Sequence, residues 1–233
     1  MDPIKKKFDE LKPWVTQFTI NDKEYGGRVS FDNDIRISSF FHAFPAIRTI
    51  LDLGSLEGGQ TFQLAKMPGI SVLGVEGRKN NITKANYVKE LLHIQNVEFI
   101  YADLEKTSLS SFGKFDAVFC SGILYHLPQP WELMHEISTI TSKVFIWTHY
   151  ASDNKVKETI EGYKGYFYKE GGLNDPLSGL SKKSFWVTRS SLTEMLNNYG
   201  FCDIRIYDDS PHHDNGPAIM LAAWKTGLRS LGK

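Results

Sequence analysis

Between residues 47 and 149 the sequence alternates apolar, β-branched runs with segments of helical periodicity, and this alternation restricts the possible folds more than any other feature. The runs that read as strands are 47–53, 71–76, 97–101, 115–120 and 143–149. The helical patterns between them are 59–66, 80–93 and 130–141. Such alternation is typical of a parallel sheet covered by helices on both faces. The sequence therefore predicts an α/β fold.

The alternation stops after the fifth predicted strand. Residues 151–188 are rich in glycine and aromatic residues, and a helix is predicted at about 189–199, with Ser190 or Ser191 as its cap. Two strand-like runs around the turn S-P-H-H-D-N-G-P then predict a terminal hairpin whose first strand is parallel to the others. Because an insertion at this point lies over the open rim of the sheet, we expect residues 151–188 to cap the substrate.

Residues 1–45 precede the alternation and are predicted to form two helices. In the second helix, apolar residues recur at helical spacing after the plausible N-cap Asp34: Ile37, Phe40, Phe41 and Phe44. Two roles are open for this segment, which either covers apolar surface or forms a lid over a ligand site. Residues 46–233 are predicted to form the main domain.

Composition excludes several classes of protein. Lys plus Arg and Asp plus Glu balance at 27 each, so a strongly basic face for nucleic acid is not indicated. Residues 1–10 lack the apolar core of a secretory signal, and no apolar run is long enough to span a bilayer. The two cysteines, Cys120 and Cys202, are too few for a disulfide framework or a cysteine zinc site. A cytoplasmic setting without a membrane partner is expected.

The stretch ILDLGSLEGGQT, residues 50–61, reads as a strand, a glycine-containing turn and the start of a helix. Ligands of nucleotide type dock at this turn in α/β sheets, beside the free N–H groups of the helix N-terminus. A dinucleotide requires G-x-G-x-x-G, but here Leu56 replaces the second glycine and Glu57 stands beside it. We expect Glu57 to repel a pyrophosphate. A ligand with a carboxylate and an amine but no phosphate fits better than NAD.

Asp52, Gly54 and Gly58 form Asp-x-Gly-x-x-x-Gly, and the sequence here resembles the first motif of the class I S-adenosylmethionine (SAM)-dependent methyltransferases. The resemblance covers about residues 46–149 and the layout of the terminal hairpin. It implies SAM as cofactor and a Rossmann-like fold with a mostly parallel seven-stranded sheet and a C-terminal antiparallel strand. The chain departs from the commonest motif at Leu56, where the family has glycine.

The resemblance also implies which residues hold the cofactor. Glu76 ends the second strand, where family members accept hydrogen bonds from the ribose hydroxyls. Asp103 follows the third strand and would pair with the adenine amino group, while the Leu104 N–H would serve a ring nitrogen. The fourth strand ends in CSGILYHL, beside the methionine part of the cofactor. The complete predicted set is Asp52, Gly54, Ser55, Gly58, Glu76, Gly77, Asp103, Leu104, Cys120 and Ser121.

Histidines at strand ends are the candidate general bases, because a hydroxyl acceptor gives up its proton on methylation. His126 follows the fourth strand and His149 ends the fifth, so both are expected at the ligand edge of the sheet. His126 has a second possible role in shaping the SAM pocket, and His212 and His213 at the hairpin tip are a third option for the base. No metal site is predicted. The residues assigned to the acceptor are Tyr125, Tyr168, Trp186, His212 and His213.

These observations favour O-methylation of a small aromatic or polyhydroxylated metabolite. The stretches SGILYHLPQPWELMHEI and SFWVTRSSLTEMLNNYGFCDIRIYDD also look similar to bacterial tRNA wobble-uridine methyl- and carboxymethyltransferases. The arginines that those enzymes carry after LYH are replaced by Leu127, Pro128 and Gln129. tRNA modification is therefore the second interpretation. A NAD-dependent oxidoreductase and a non-catalytic SAM-binding protein remain as further alternatives.

Overall fold

The structure is a computed structural model that describes residues 2–226. The last part of the predicted main domain, residues 227–233, lies outside the described residues. In the described part of the chain, no helix is both long and apolar enough to cross a membrane.

The N-terminal segment contains both predicted helices and, between them, a hairpin that the sequence patterns did not reveal. Its elements are α1 (Pro3–Glu10), β1 (Gln17–Ile20), β2 (Lys23–Gly26) and α2 (Ile35–Ala43). Asp34 caps α2 as predicted, since its side chain accepts a hydrogen bond from the Arg36 N–H. The hairpin turns at Asn21 and Asp22, both at positive φ, as a two-residue turn of type I′ requires. Four-residue strands are too short for periodicity to show.

The central elements follow the predicted alternation closely. They are β3 (Thr49–Leu53), α3 (Gly59–Ala65), β4 (Ser71–Glu76), α4 (Lys79–Leu91), β5 (Val97–Tyr101), β6 (Ala117–Ser121), α5 (Pro130–Ile140) and β7 (Lys143–His149). Because both faces of the sheet are buried, these strands are long β-branched and aromatic runs, and such runs are recognisable between the helical patterns.

The insertion 151–188 forms a small antiparallel sheet that we call the cap. Its strands are β8 (Glu158–Ile160), β9 (Tyr163–Lys169) and β10 (Lys183–Val187), in the order β10-β9-β8. Alternation along the strands separates the aromatic side chains. Phe185 and its cross-strand partner Phe167 join the apolar core, whereas Trp186 and Tyr168 line a cavity.

The chain ends with α6 (Arg189–Asn198), β11 (Asp203–Ser210) and β12 (Ala218–Trp224). The predicted cap of α6 was wrong by two or three residues. Thr188, with extended backbone, accepts the Ser191 N–H at 3.2 Å and is the N-cap, whereas Ser190 and Ser191 lie in the first turn.

Seven strands form the central sheet in the order β11-β12-β7-β6-β3-β4-β5. β12 is antiparallel to both β7 and β11, so β11 runs parallel to the remaining strands. This confirms the predicted Rossmann-like α/β fold with its antiparallel C-terminal strand. Consecutive residues of β6 face opposite layers: Val118 packs with α5 and α6, and Phe119 packs with α2 and α3. Burying a side chain such as Phe119 stabilises the fold by about 1.5–3 kcal/mol.

Candidate functional site

A cavity of about 540 Å³ lies at the carboxyl ends of the parallel strands. Its walls come from the strand ends, the N-terminal segment, the 3₁₀ turn Leu124–His126 after β6, and the cap. A cavity of this size at the edge of an α/β sheet is typical of small-molecule and cofactor sites.

The turn after β3 is held to the neighbouring strand by its backbone. The N–H groups of Gly54 and Ser55 both donate to the Val75 carbonyl, at 2.9 and 3.0 Å. Gly58 has φ +87°, and a Cβ there would lie within 3 Å of the Phe62 and Phe99 rings. Leu56 also has a positive φ, 52°, so it adopts the left-handed conformation that glycine takes most easily. At the position where the chain departs from the family motif, Leu56 thus takes a backbone conformation that favours glycine.

Glu57 does not face the ligand side of this turn, and our reason for excluding a pyrophosphate was wrong. Its carboxylate is 1% exposed and accepts hydrogen bonds from the backbone N–H groups of Val15 and Thr16. It also forms an ion pair with the Lys84 ammonium at 2.7 Å. Glu57 thus ties the N-terminal segment to the back of the turn, and its charge is neutralised there.

Glu76 presents a pre-oriented carboxylate to the cavity. One oxygen accepts the Leu56 N–H at 3.0 Å and the other accepts the Arg78 N–H at 2.7 Å. Burial raises the pKa of this carboxyl group, and the hydrogen bonds partly offset that effect. Each oxygen keeps a lone pair for a further donor, such as a ribose hydroxyl.

Of the ten residues predicted to hold the cofactor, seven line the cavity: Gly54, Ser55, Glu76, Gly77, Asp103, Leu104 and Ser121. The Ser55 hydroxyl is buried and has no hydrogen-bond partner, as expected for a group that meets a polar ligand. Asp103 accepts the Glu105 N–H and forms an ion pair with Lys106 at 2.7 Å. An unpartnered hydroxyl and two strand-end carboxylates in one cavity fit the polar groups of SAM.

The other three predicted residues, Asp52, Gly58 and Cys120, lie outside the cavity wall. Asp52 is buried beneath the turn, where it accepts a hydrogen bond from the Thr61 hydroxyl at 2.6 Å. Burial raises the pKa of Asp52 to about 7. Cys120 is fully buried in the core, and burial raises the pKa of its thiol. The structure gives these residues places in the scaffold that supports the turn and the sheet.

Sequence reasoning missed a cation at one end of the cavity. The Arg36 guanidinium, from α2, forms an ion pair with Asp34 at 2.6 Å and donates to the Ser121 hydroxyl at 3.3 Å. It also lies 5.2 Å from the Trp147 ring centroid. Because Arg36 lies in the first turn of a helix, two residues after its cap, nothing in the sequence separates it from a surface arginine. Its position beside Ser121 suits the carboxylate of an amino-acid ligand.

His126 is paired with a buried carboxylate that the sequence analysis did not identify. Both oxygens of Glu170, which directly follows β9, lie 3.2 Å from His126 Nδ1. Burial acts to raise the Glu170 pKa, but hydrogen bonds from His126, Ser178 and Ser184 outweigh it and lower the pKa to about 2. A carboxylate that stays ionised can only accept, so Nδ1 carries the proton and Nε2 is left for a ligand.

His149 has the same tautomer for a different reason. Its Nδ1 lies 2.9 Å from the Gly216 carbonyl and 3.2 Å from the Pro217 carbonyl, and only an N–H can donate to these oxygens. Burial lowers the pKa of His149, although the two carbonyls partly counter it. The neutral imidazole is therefore favoured, with Nε2 as a hydrogen-bond acceptor.

Aromatic rings surround these histidines on the cavity wall. His149 stacks on Trp186 with ring centroids 5.2 Å apart, and Tyr168 stacks on the same indole at 4.9 Å. Tyr125 lies between the two histidines, 4.1 Å from the His126 ring and 4.7 Å from the His149 ring. The buried Trp186 Nε1 has no hydrogen-bond partner. Three of the predicted acceptor residues thus meet at one wall.

The hairpin-tip histidines do not join this wall. His212 and His213 are absent from the cavity lining, although the His213 ring lies 5.1 Å from that of His149. Within residues 2–226, no three His, Cys, Asp or Glu side chains are grouped so that they could hold a metal ion.

Comparison with known proteins adds independent information. A family model described as a methyltransferase domain matches residues 47–184. The N-terminal domain of EvdMO1, whose crystal structure was determined in the presence of S-adenosylhomocysteine (SAH) and D-fucose, is 35% identical. The alignment covers 97% of each chain, with a TM-score of 0.87.

Two curated relatives are tRNA U34 carboxymethyltransferases. The protein from Nautilia profundicola is 27% identical over 161 residues, which is 59% of this chain and 47% of the relative. The protein from Desulforapulum autotrophicum is 28% identical over 117 residues, covering 50% of this chain and 34% of the relative. The chain thus spans less than half the length of these relatives.

Proposed function

We propose that this protein, which belongs to the methyltransferase domain family and is a SAM-dependent methyltransferase, acts on a small polyhydroxylated, sugar-like acceptor. It methylates a hydroxyl group of this acceptor, and His126 is the general base. The observation that carries the proposal is the pairing of His126 Nδ1 with the buried Glu170 carboxylate in the cavity wall. This pairing leaves Nε2 free for the acceptor.

The cofactor assignment uses the residues that line the cavity. Glu76 accepts the ribose hydroxyls, Asp103 and Leu104 receive the adenine, and the Arg36 guanidinium receives the carboxylate. SAM supplies an electrophilic methyl group carried on a sulfonium. The positions of these side chains hold the cofactor so that the acceptor approaches from the cap side, where the aromatic wall lies.

His126 acts on the acceptor hydroxyl. As the oxygen–carbon bond forms and the carbon–sulfur bond breaks, Nε2 takes the hydroxyl proton; the products are a methyl ether, SAH and a proton on the imidazole. General-base assistance of this kind contributes about 10²–10⁴ in rate. The charge that develops on the imidazole is next to the Glu170 carboxylate, whereas His149 has only carbonyl partners and a pKa lowered by burial. His149 is therefore assigned to hydrogen bonding with a neighbouring acceptor hydroxyl.

A sugar-like acceptor is supported by two observations. The EvdMO1 domain, 35% identical to this chain, was crystallised with D-fucose present. In this chain, the rings of Trp186, Tyr168 and Tyr125 form an apolar wall beside polar histidine nitrogens. A sugar ring combines apolar C–H faces with hydroxyl edges, which matches a site of this mixed character.

The test is SAH formation from SAM with D-fucose and other deoxyhexoses, catechol, and unmodified tRNA as separate acceptors. We expect turnover with a sugar, and a fall in kcat of about 10²–10⁴ for His126→Gln with SAH affinity within threefold of wild type. His149→Gln is expected to raise KM for the sugar more than it lowers kcat. Turnover with catechol or tRNA alone, or an unchanged kcat in His126→Gln, would overturn the proposal.

A further inference from the structure

We propose that Glu170 is a positioning residue that holds His126 in its base-competent tautomer, and that the cap delivers this carboxylate to the site. The inference rests on the proposed function and deepens it. It concerns how the base is assembled rather than which acceptor is methylated.

Glu170 is the centre of a closed set of hydrogen bonds. Besides His126 Nδ1, its oxygens accept from the Ser184 hydroxyl at 2.7 Å, the Gly179 N–H at 3.1 Å and the Ser178 hydroxyl. The two hydroxyls and the backbone N–H are neutral donors, and His126 becomes charged only when its imidazole takes a second proton. Glu170 is buried, with 6% of its surface exposed. The carboxylate is therefore fixed from several directions, and its charge has His126 as its ionisable partner.

All three groups that fix the Glu170 carboxylate besides His126 belong to β10 of the cap or to the loop between β9 and β10. That loop reaches the His126 turn directly, since a Cβ on Gly179 would lie 2.4 Å from the His126 carbonyl oxygen. The Phe185 N–H also donates to the Leu127 carbonyl at 2.8 Å. His126 and Glu170 thus come from two parts of the chain, 44 residues apart, that meet only when the cap is folded onto the turn.

Other ionisable groups face this pair from each neighbouring element. Tyr125 lies on the same turn as His126, and His149 ends β7. The Tyr125 pKa is raised by burial and that of His149 is lowered by it, so both are neutral near pH 7. Glu170 is the anion in contact with the His126 ring. Removing its charge therefore changes the electrostatic environment of His126 directly.

The first experiment measures the tautomer of His126 by ¹⁵N NMR of the SAH complex, with Glu170→Gln as the variant. In the wild type we expect the neutral ring to carry its proton on Nδ1. The amide group of Glu170→Gln can donate to Nδ1, so the proton should move to Nε2. A ring protonated on Nε2 in the wild type, or the same Nδ1 tautomer in both proteins, would overturn the proposal. This measurement needs no acceptor, so it stands or fails independently of the O-methylation assignment.

The second experiment compares kcat with D-fucose and SAM in Glu170→Gln and in the control Ser181→Ala. A wrong tautomer costs about 10⁴ in kcat in a Ser-His-Asp triad, and general-base assistance as a whole contributes about 10²–10⁴. We expect a loss of about 10²–10⁴ for Glu170→Gln, with SAH affinity within threefold of wild type. Ser181→Ala removes the 2.8 Å hydrogen bond from the same loop to Glu105 but touches neither Glu170 nor His126, so its kcat should stay within threefold. If Ser181→Ala loses as much as Glu170→Gln, the carboxylate acts by holding the loop and the proposal is wrong.

Discussion

Replacing Glu76 by glutamine tests the cofactor site with almost no change in shape. The carboxylate accepts one backbone N–H on each oxygen, from Leu56 at 3.0 Å and from Arg78 at 2.7 Å. An amide keeps one acceptor and turns its NH₂ group toward an N–H, so one backbone bond and one ribose bond are lost. Hydrogen bonds to a charged group contribute about 1.5–3 kcal/mol each. We expect the Kd for SAH to rise about tenfold to a hundredfold.

Glu57 provides the matched control, because it is also a buried glutamate and lies on the other side of the same turn. Glu57→Gln removes the negative charge 2.7 Å from the buried Lys84 ammonium, and an uncompensated buried charge costs about 3–5 kcal/mol of unfolding free energy. It should leave the Kd for SAH within threefold of wild type. Adding Lys84→Met removes the unpaired charge and should restore most of the lost stability.

Isothermal titration calorimetry with SAH and urea unfolding separate the two effects. The assignment predicts weak binding with a loss of stability of about 1.5–3 kcal/mol for Glu76→Gln, from the backbone bond. It predicts normal binding with the larger loss of about 3–5 kcal/mol for Glu57→Gln. A Kd for Glu76→Gln within twofold of wild type would refute the ribose assignment. So would a loss of SAH affinity in Glu57→Gln as large as that in Glu76→Gln.

Three further outcomes are expected. Burial raises the Asp52 pKa to about 7, so the protonated carboxyl group stabilises the fold fully below pH 4, and this contribution is lost as the pH rises through 7. Asp52→Asn should therefore remove a pH-dependent part of the unfolding free energy, up to about 4 kcal/mol, measured by urea unfolding. Arg78→Ala should speed amide hydrogen exchange in residues 172–178, because one guanidinium nitrogen donates to the carbonyls of Gly172, Asp175 and Ser178; unchanged exchange would contradict the anchoring role. Trp186→Ala should lower kcat/KM for the acceptor at least tenfold while leaving the Kd for SAH within threefold, and a loss confined to SAH binding would place this ring in the cofactor site.

The strands and helices of the central sheet were predictable because their patterns repeat over many residues. Strand β4 has the predicted bounds, 71–76, and β7 has the predicted 143–149. The β1–β2 hairpin was missed because each strand has four residues, and the cap sheet because its aromatic residues mask the alternation. Where periodicity is short or mixed, the tertiary contacts decide the structure.

The candidate site was predictable only where a residue's place along a strand fixes its place in space. Glu76, Ser121 and His149 end parallel strands, so their arrival at the cavity follows from the topology. Side-chain direction does not follow in this way, and Glu57 consequently points to Lys84. Glu170 had no sequence signal, because its relation to His126 depends on how the cap folds back over the sheet.

The position of β12 has a consequence for the order in which the protein can be completed during synthesis. β7 and β11 have no direct pairing, and the strand between them follows both in the chain, so this edge of β7 stays open until residues 218–224 have been added. The carbonyls that orient His149 belong to Gly216 and Pro217, which immediately precede that strand. All the residues that line the cavity, except Asn215, lie at or before residue 186, so they are synthesised before the carbonyls that orient His149. His149 can take its orientation only when β12 enters the sheet.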